Sequence, residues 1–345
     1  MAKLTLKDIA EHFKVSISTV SKAINDSHEI SVQLKEKIQK YAKKNHYRPN
    51  KVAVNLRNRS TRNIGVVIPN ILNYFFVQVL YGIEQVSNAR GYNIISCTSN
   101  QSIEKEAKTL ELLGSGSVDG LIISSVATES QIKKHVDYMK ELVNNQIPLV
   151  MFDRVTDLLD CDKVIVDDFE AGYKATKYFL DTGCRTIAIV TPINHTEIGR
   201  LRIEGYKKAL NEKDIVFDID LILPVVIDDD DNLEFLLSFI LNDKKIDAIM
   251  GLDEITTVKV MTIVKARGYQ VPKDISIIGF TNGQLSKYVT PSLTMVSQHG
   301  TYIGEMVAKL LINRIENKGE IEPYNTKVVK TSLIVRESTK KIPMA

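Results

Sequence analysis

The chain has 345 residues, of which 44% are hydrophobic and 25% are charged, enough for about two or three domains with sizeable cores. No apolar stretch is long enough to span a membrane, and the charged N-terminus lacks the apolar region of a signal peptide, so we expect a cytoplasmic protein. The 3 cysteines are widely spaced and odd in number, which argues against disulfides and against a zinc site. We predict no metal and no cofactor.

Positive charge is concentrated at the N-terminus. Residues 1–62 contain 14 lysines and arginines against 5 aspartates and glutamates, a net charge of +9, whereas the remainder carries −6. Basic segments of this kind supply phosphate contacts, which give much of the affinity for DNA and make it salt-dependent. The alternative, a solvated lysine-rich surface, is less favoured because the charge coincides with the motif that follows.

Two short helices joined by a tight turn are predicted in LTLKDIAEHFKVSISTVSKAIN, residues 4–25. Thr5 and Asp8 have the spacing of a helix N-terminal cap, and Ser16 stands in the same place before the second helix. The second helix has one apolar face, and its other face carries short hydrogen-bonding side chains that can read base edges in the DNA major groove. The residues that we expect to contact DNA here are Thr5, Ser16, Ile17, Ser18, Thr19, Ser21, Lys22 and Asn25.

The same residues carry a family resemblance. The pattern LKDIAEHFKVSISTVSKAIN closely resembles the N-terminal headpiece of the lactose-repressor (LacI/GalR) family of transcription regulators, and the resemblance continues to the C-terminus. A third helix, from Ser31 to about Asn45, completes a three-helix headpiece and must end before Pro49. We therefore predict a helix-turn-helix headpiece at residues 1–48 and a hinge helix with linker at residues 49–62.

The hinge has helical potential for only about two turns, too few to be stable alone in water. In the family that it resembles, this segment becomes helical on the operator, pairs with its dimer mate and wedges a leucine into the minor groove, where unstacking of a base step is offset by added contacts. Leu56 matches that leucine, although an ordinary linker residue is the alternative interpretation. The resemblance extends the expected DNA contacts to Asn50, Val52, Ala53 and Leu56.

From residue 63 onward, apolar strand-like runs alternate with amphipathic helices, which predicts an α/β fold with parallel sheets buried on both faces. Strands are predicted at residues 63–69, 92–99, 118–125, 147–154, 186–192, 246–252 and 274–280. The resemblance implies a two-lobed, periplasmic-binding-protein-like core over residues 63–345. Its N-lobe would span about 63–160 and 292–325, and its C-lobe about 161–291 and 326–340.

Ligands of parallel sheets bind beyond the carboxyl ends of the strands, and residues there match the family's effector site. Carboxylates accept hydrogen bonds from hydroxyls, arginine offers a rigid fork of donors and aromatic rings cover apolar ring faces, a set that suits a sugar. Each residue also has an ordinary alternative, such as helix core, an ion pair or a helix cap. The expected effector contacts are Phe75, Phe76, Asp153, His195, Arg202, Asp253, Thr281, Asn282 and Gln298.

One departure from the family concerns Thr281 and Asn282. Members commonly have an aspartate after this strand, and that carboxylate often binds a sugar hydroxyl or a purine. Here neutral groups replace it, which favours phosphorylated or acidic metabolites somewhat. The effector class therefore stays open.

The sequence as a whole predicts a repressor-type transcriptional regulator that binds a near-palindromic double-stranded DNA operator as a homodimer, under control of a small-molecule effector and without a membrane partner. Two other classes stay open. A small-molecule binding protein of transport would share the core but need a signal peptide and no basic headpiece. A sugar- or nucleoside-processing α/β enzyme would need catalytic residues, and we find none at recognisable spacing.

Overall fold

The computed structural model describes residues 4–47, 60–127, 129–145, 147–226, 229–281, 283–317 and 323–343. The chain divides into two compact units, Met1–Thr61 and Arg62–Ala345. Four predicted hinge contacts and one predicted effector contact lie outside the described residues: Asn50, Val52, Ala53, Leu56 and Asn282. Within the described residues, no helix has both the length and the apolar character needed to cross a bilayer.

The described part of the first unit folds into the helices α1 (Leu6–Phe13), α2 (Ile17–Ile24) and α3 (Val32–Lys44). Both predicted side-chain caps are confirmed. Thr5 and Asp8 form a capping box at α1, and Ser16 Oγ accepts a hydrogen bond from the Thr19 N–H of α2 at 3.0 Å. Ser31 precedes α3 as expected, but its side chain makes no capping hydrogen bond. Two buried apolar residues from each helix meet in one small core, namely Ile9, Ala10, Val20, Ala23, Ile38 and Ala42.

The second unit alternates strands and helices, as the apolar runs predicted. Its strands are β1 (Asn63–Ile68), β2 (Asn93–Thr98), β3 (Gly120–Ile123), β4 (Leu149–Phe152), β5 (Asp162–Val166), β6 (Ile187–Thr191), β7 (Ile222–Pro224), β8 (Ala248–Gly251), β9 (Ser276–Phe280), β10 (Thr294–Ser297), β11 (Thr326–Val329) and β12 (Ser332–Ile334). Its helices are α4 (Tyr74–Ala89), α5 (Ile103–Gly114), α6 (Glu129–Asn144), α7 (Asp168–Asp181), α8 (Glu197–Asn211), α9 (Asp230–Asp243), α10 (Glu254–Ala266), α11 (Leu285–Tyr288) and α12 (Gly300–Glu316).

These strands form two six-stranded sheets, in the orders β2-β1-β3-β4-β5-β11 and β7-β6-β8-β9-β10-β12. Neighbouring strands are parallel except β10 and β12, which are antiparallel. We call the part built on the first sheet the first lobe and the part built on the second sheet the second lobe. Strand order reverses between β1 and β3 and between β6 and β8, and such a switch point opens a crevice at the carboxyl ends of the strands.

The lobe boundaries need a correction of several residues. β5 and β11 belong to the first sheet and β10 to the second, whereas boundaries at 160/161, 291/292 and 325/326 assign each of them to the other lobe. The chain therefore passes between the lobes after β5, after β10 and after β11. A buried apolar strand looks alike in either sheet, so its sequence does not say which neighbours it pairs with.

Each lobe contains a pair of helices that pack closely through glycine. In the first lobe, a Cβ on Gly82 of α4 would lie 2.0 Å from the carbonyl oxygen of Thr301 on α12. In the second lobe, a Cβ on Gly172 of α7 would lie 2.1 Å from the carbonyl oxygen of Arg202 on α8. Real Cβ atoms do not approach this closely, so the absence of a side chain sets both helix separations. In the second lobe it brings the backbone of Arg202 against α7.

Candidate functional site

The outer face of α2 presents an apolar side chain beside short polar ones. Ile17 is 50% exposed, and Ser18 and Asn25 are also exposed. Asn25 Nδ2 donates to the Ser21 carbonyl at 2.9 Å, and Lys22 is paired with Glu29. The face is thus pre-ordered by contacts within the headpiece, with its hydroxyl, amide and ammonium groups at the surface.

The other predicted headpiece contacts also have structural roles. Thr5 belongs to the capping box of α1, and Ser16 and Thr19 lie 2.9 Å apart through their hydroxyl oxygens at the start of α2. All three therefore mark helix N-termini, whose N–H groups favour phosphate oxygens. Ser16 and Thr19 lie at the start of α2, the helix of the predicted base-reading side chains, whereas Thr5 lies at the start of α1.

Arg202 is the most tightly held of the predicted effector contacts. Its side chain is 3% exposed, and its Nε donates to Asp168 Oδ1 at 2.8 Å. A terminal nitrogen donates to the Leu252 carbonyl at 2.8 Å, and the guanidinium carbon lies 4.1 Å from the centre of the Phe280 ring. Because α8 begins at Glu197, Arg202 lies in its second turn rather than at the helix start. Asp168 is buried as well, so the guanidinium charge is neutralised inside the protein.

Asp153 follows β4, at the carboxyl edge of the first sheet. Its φ is +59°, and burial raises the pKa of its carboxyl to about 6, with Arg154 lowering it, Asp168 raising it and Arg202 lowering it to smaller extents. Asp153 is thus an ionisable side chain that directly follows a strand of the first sheet.

Asp253 is confirmed at the opening of α10. Its Oδ1 accepts the Thr256 N–H at 2.9 Å and so caps the helix. Its Oδ2 is buried and has no hydrogen-bond partner among the described residues, and burial raises the pKa of this carboxyl. A buried acceptor without a donor costs free energy, which a ligand hydroxyl or amine at this position would recover.

Thr281 and Gln298 lie together at the end of the second sheet. The Thr281 hydroxyl donates to Gln298 Oε1 at 2.9 Å, and both residues are buried. Thr281 has a φ of +71°, a conformation that a β-branched residue seldom adopts. Asn282, the other residue at which the sequence departs from the family, lies outside the described residues.

The remaining predicted contacts are placed differently. Phe75 and Phe76 are each 3% exposed in the core of the first lobe, with ring centres 5.3 Å apart. His195 is exposed in the segment between β6 and α8. The structure thus places Asp153 after a strand of the first sheet and Asp253, Thr281 and Gln298 after strands of the second, holds Arg202 on α8, and buries the two phenylalanines in the core of the first lobe.

Three charged residues of this region escaped the sequence analysis. Asp168 pairs with Arg202, and Arg154 donates to Gln101 Oε1 at 3.0 Å. Glu106 is 0% exposed, its carboxylate accepts the Ser125 hydroxyl at 2.8 Å, and burial raises its pKa. Arg154 and Asp168 each stand two residues after the end of a buried strand. That position is visible in the sequence and could have identified them. Glu106 lies in an ordinary amphipathic helix and gave none.

No three histidine, cysteine, aspartate or glutamate side chains of the described ranges are grouped as a metal site would require. The chemistry on offer at the strand ends is hydrogen bonding. Carboxylate oxygens of Asp153 and Asp253 accept, and the hydroxyl of Thr281 and the guanidinium of Arg202 donate.

Comparison with known proteins adds family matches to this geometry. Residues 5–50 match "Bacterial regulatory proteins, lacI family", and residues 176–339 match "Periplasmic binding protein-like domain". The chain is 30% identical over 334 residues to the ribose operon repressor of Haemophilus influenzae, an alignment that covers 97% of this chain and 98% of that protein.

Two solved structures are similar. A LacI family transcriptional regulator from Enterococcus faecium with bound ribose is 27% identical, has a TM-score of 0.68 and covers 80% of this chain and 98% of its own. A lac repressor dimer bound to operator and an anti-inducer has a TM-score of 0.84 with 20% identity and covers 99% of this chain and 100% of its own, which supports the fold alone.

Proposed function

The chain belongs to the lacI family of bacterial regulatory proteins and is a DNA-binding transcriptional regulator, and from this premise we propose that it is a repressor controlled by a neutral, polyhydroxylated effector. The observation that carries the DNA-binding half is the capped helix α2, whose exposed polar face lies in a headpiece segment of strongly positive charge. It acts in the cytoplasm, where its DNA is. The relatives are regulators, and no turnover chemistry is proposed.

The DNA contacts are proposed for α2 and the hinge. Ser18, Ser21, Lys22 and Asn25 read base edges, and Ile17 contacts a thymine methyl group. The capping residues Thr5, Ser16 and Thr19 lie near phosphates. The hinge wedge rests on the sequence, with Leu56 supported by Asn50, Val52 and Ala53.

The effector site is proposed at the converging strand ends. Arg202 is already neutralised by Asp168, which removes the attraction that a phosphate or an acidic metabolite would need. The groups that remain open are acceptors, above all the unpartnered Asp253 Oδ2 and the Asp153 carboxylate. These acceptors need hydrogen-bond donors, which the hydroxyl groups of a sugar supply. The regulator from Enterococcus faecium holds ribose, so D-ribose is the first compound to test.

Other predicted contacts complete the proposed site. Thr281 and Gln298 form its second-lobe wall, Phe75 and Phe76 its apolar floor, and His195 its rim, while Asn282 is proposed from the sequence alone. An effector that binds the open and closed arrangements of the lobes unequally shifts their populations, and the linkers transmit that shift to the headpieces.

Assembly is proposed to be a homodimer through the first lobe. Five apolar side chains on or beside α4 and α12 are exposed in the single chain: Ile71, Leu72, Val77, Tyr81 and Tyr302. Large exposed apolar side chains concentrated on one helix pair favour a protein interface there. Two headpieces then address the two half-sites of a near-palindromic operator.

The DNA-binding proposal is tested with the full chain and a randomised duplex pool. We expect enrichment of a near-palindromic sequence, and we expect Leu56→Ala to weaken binding to that duplex far more than binding to a scrambled one. Val216→Ala, at a residue that is 87% exposed in the second lobe, is the matched control. Equal losses on both duplexes for Leu56→Ala would remove the wedge, and failure to enrich any sequence would remove the regulator proposal.

The effector proposal is tested by thermal shift, since a ligand that binds only the folded state raises stability by mass action. D-ribose, other pentoses and hexoses are compared with ribose 5-phosphate and sugar acids. Stabilisation by a neutral sugar supports the proposal. Stabilisation by the phosphorylated or acidic compounds alone contradicts it.

A further inference from the structure

Helix α9 of the second lobe exposes two large aromatic side chains. Phe235 is 67% exposed and Phe239 is 56% exposed, whereas Leu237 and Ile240 on the opposite face of the same helix are buried in the core of the lobe. Phenylalanine is among the residues that folded chains most often bury. Packing within the lobe therefore accounts for one face of α9 and leaves the two exposed rings unexplained.

The two rings belong to a single ridge of the helix. Asp231 lies four residues before Phe235, and Asp243 lies four residues after Phe239, so the four side chains follow one another in steps of four. Rows with this spacing are the ridges that helices pack into the grooves of other helices. We call these four residues the α9 ridge, which is about 18 Å long and has an exposed carboxylate at each end.

The carboxylates of the α9 ridge lack counter-charges. Helix α9 contains four acidic residues and no lysine or arginine. Two of the four, Asp230 and Glu234, pair with basic side chains on α10 and at its C-terminal end. Among the residues that the structure describes, Asp231 and Asp243 form no ion pair. The ridge is thus acidic at both ends and aromatic between them.

Asp243 occupies an unfavourable position in the isolated chain. It is the last residue of α9, where the partial negative charge of the helix C-terminus disfavours a carboxylate. The next residue, Lys244, is already engaged, because its Nζ lies 2.6 Å from Asp218 Oδ2 and 3.6 Å from Asp220 Oδ2. A cation brought by a partner would relieve this repulsion, so the position favours a basic partner over a neutral one.

Charge and area distinguish between the possible occupants of the ridge. A second copy of the chain would place acidic ends against acidic ends, and DNA or an anionic membrane surface would be repelled in the same way. The two rings together expose about 250 Å². Each partner in a standard protein interface buries about 800 Å². The exposed area therefore suits a single helix of a partner rather than a broad globular face.

We propose that the α9 ridge is a docking surface for a short, basic, amphipathic helix of another protein. Apolar residues of that helix cover Phe235 and Phe239, and lysines or arginines about three turns apart pair with Asp231 and Asp243. Helices with one apolar face commonly bind to apolar surfaces of this kind. The surface uses none of the residues assigned to DNA or to the effector, so its test is independent of theirs.

The test uses the full-length chain and a displayed library of randomised helical peptides of the same length as α9, 14 residues. Selection on the wild type, with Phe235→Ser as a competitor in solution, should enrich peptides with lysine or arginine at both ends and apolar residues between them. In fluorescence anisotropy, an enriched peptide should bind about tenfold or more weakly to Phe235→Ser and to Phe239→Ser. Asp231→Asn and Asp243→Asn should each weaken binding about threefold, and added salt should weaken wild-type binding further.

Two substitutions elsewhere on the surface of the second lobe are matched controls. Val216→Ser removes an apolar side chain that is 87% exposed, and Asp214→Asn removes an exposed carboxylate. Neither should change the affinity for the peptide. All six variants should keep the thermal stability of the wild type, because the altered side chains lie outside the core.

Failure to enrich any peptide that distinguishes the wild type from Phe235→Ser overturns the proposal, as does enrichment of acidic or uncharged peptides. An equal loss of affinity in Val216→Ser or Asp214→Asn also overturns it, because the contact would then not be specific to the ridge. Sedimentation tests the remaining occupant. A wild-type assembly that becomes smaller in Phe235→Ser would show that a second copy of the chain, and not a basic helix, covers the ridge.

Discussion

The two lobes share a framework but differ in the chemistry placed on it. The strand beside the switch-point pair is β4 in the first sheet and β9 in the second. Each is followed directly by a residue of positive φ, Asp153 after β4 and Thr281 after β9. Both residues donate their N–H to the next strand, to the Val164 and Val296 carbonyls, at 3.0 Å each. One position carries an ionisable carboxyl and the other a hydroxyl bound to Gln298. The fold fixes where each of these side chains stands, and the residue type decides which hydrogen bonds it can form.

The helix pairs repeat the contrast. Gly82 and Gly172 permit similar close approaches, yet the first-lobe pair carries an apolar surface and the second-lobe pair carries the buried Asp168–Arg202 ion pair. In the proposed function, the same packing device serves association in one lobe and ligand positioning in the other. The following substitutions separate these roles.

The largest effect is expected from Arg202→Met. It leaves Asp168 buried without its counter-charge, and breaking a buried pair from one side costs about 4 kcal/mol. We expect a correspondingly lower free energy of unfolding in chemical denaturation and no thermal stabilisation by the sugar. Operator binding at low temperature should persist, because the headpiece does not depend on this pair.

A double variant separates the contribution of Arg202 to stability from its proposed contribution to sugar binding. Arg202→Met with Asp168→Asn removes both charges, so most of the lost stability should return while the sugar response stays absent. If the double variant regained the sugar response, Arg202 would be structural only. If its stability stayed as low as that of the single variant, the ion pair would not be the cause.

Asp153→Asn is expected to raise stability, in a pH-dependent way. The folded carboxyl, with a pKa of about 6, keeps a proton that the unfolded chain, near 3.8, has already released. Between about pH 4 and 6 the wild type therefore loses stability as pH rises, by at most about 3 kcal/mol, and the asparagine variant does not. Denaturation measurements should show no gain in the free energy of unfolding over the wild type at pH 4 and the full gain at pH 8.

Asp214→Asn is the control for that pH profile. Asp214 also has a positive φ, +55°, but is exposed in the second lobe. Its substitution should leave the pH dependence of the wild type unchanged. A gain for Asp153→Asn that was equal at both pH values would mean that a protonation-independent effect, and not burial of charge, had been measured.

The next largest effects are expected from substituting the two glycines at the close helix contacts. A Cβ on Gly172 or on Gly82 forces two helices apart, and overpacking of this kind costs about 2 kcal/mol in either lobe. Gly172→Ala should also weaken sugar binding, because the clash is with the carbonyl of Arg202. Gly82→Ala clashes with Thr301 and should instead weaken subunit association in analytical ultracentrifugation. Loss of sugar affinity in both variants would show that the lobes are not separable in this way.

What the sequence predicts well is local. The caps at Thr5 and Ser16 depend on spacings of three residues, and both form in the structure. Each is decided by a few neighbouring residues, as are the buried strands with their continuous apolar runs.

What the sequence misses depends on packing between distant segments. Asp168 and Arg202 are 34 residues apart and meet only because Gly172 lets two helices approach. The sheet to which β10 or β11 belongs is settled by its pairing partner, β9 for the first and β5 for the second. None of these has a local pattern.

The smallest expected effect, and the most direct comparison of the two strand ends, concerns Thr281. A β-branched residue at φ +71° is strained, and asparagine tolerates this conformation while its amide can still donate to Gln298, so Thr281→Asn should stabilise by about 0.5 kcal/mol. Thr281→Ser keeps the hydroxyl and removes the branch, whereas Thr281→Val keeps the branch and leaves Gln298 without its donor, at a cost of about 1 kcal/mol. Thermal denaturation should therefore rank asparagine and serine above threonine, and valine below it. If valine ranked with serine, the hydrogen bond to Gln298 would contribute nothing to stability, and the Thr281 hydroxyl would be available to a ligand, the role that we propose for the Asp153 carboxylate in the other lobe.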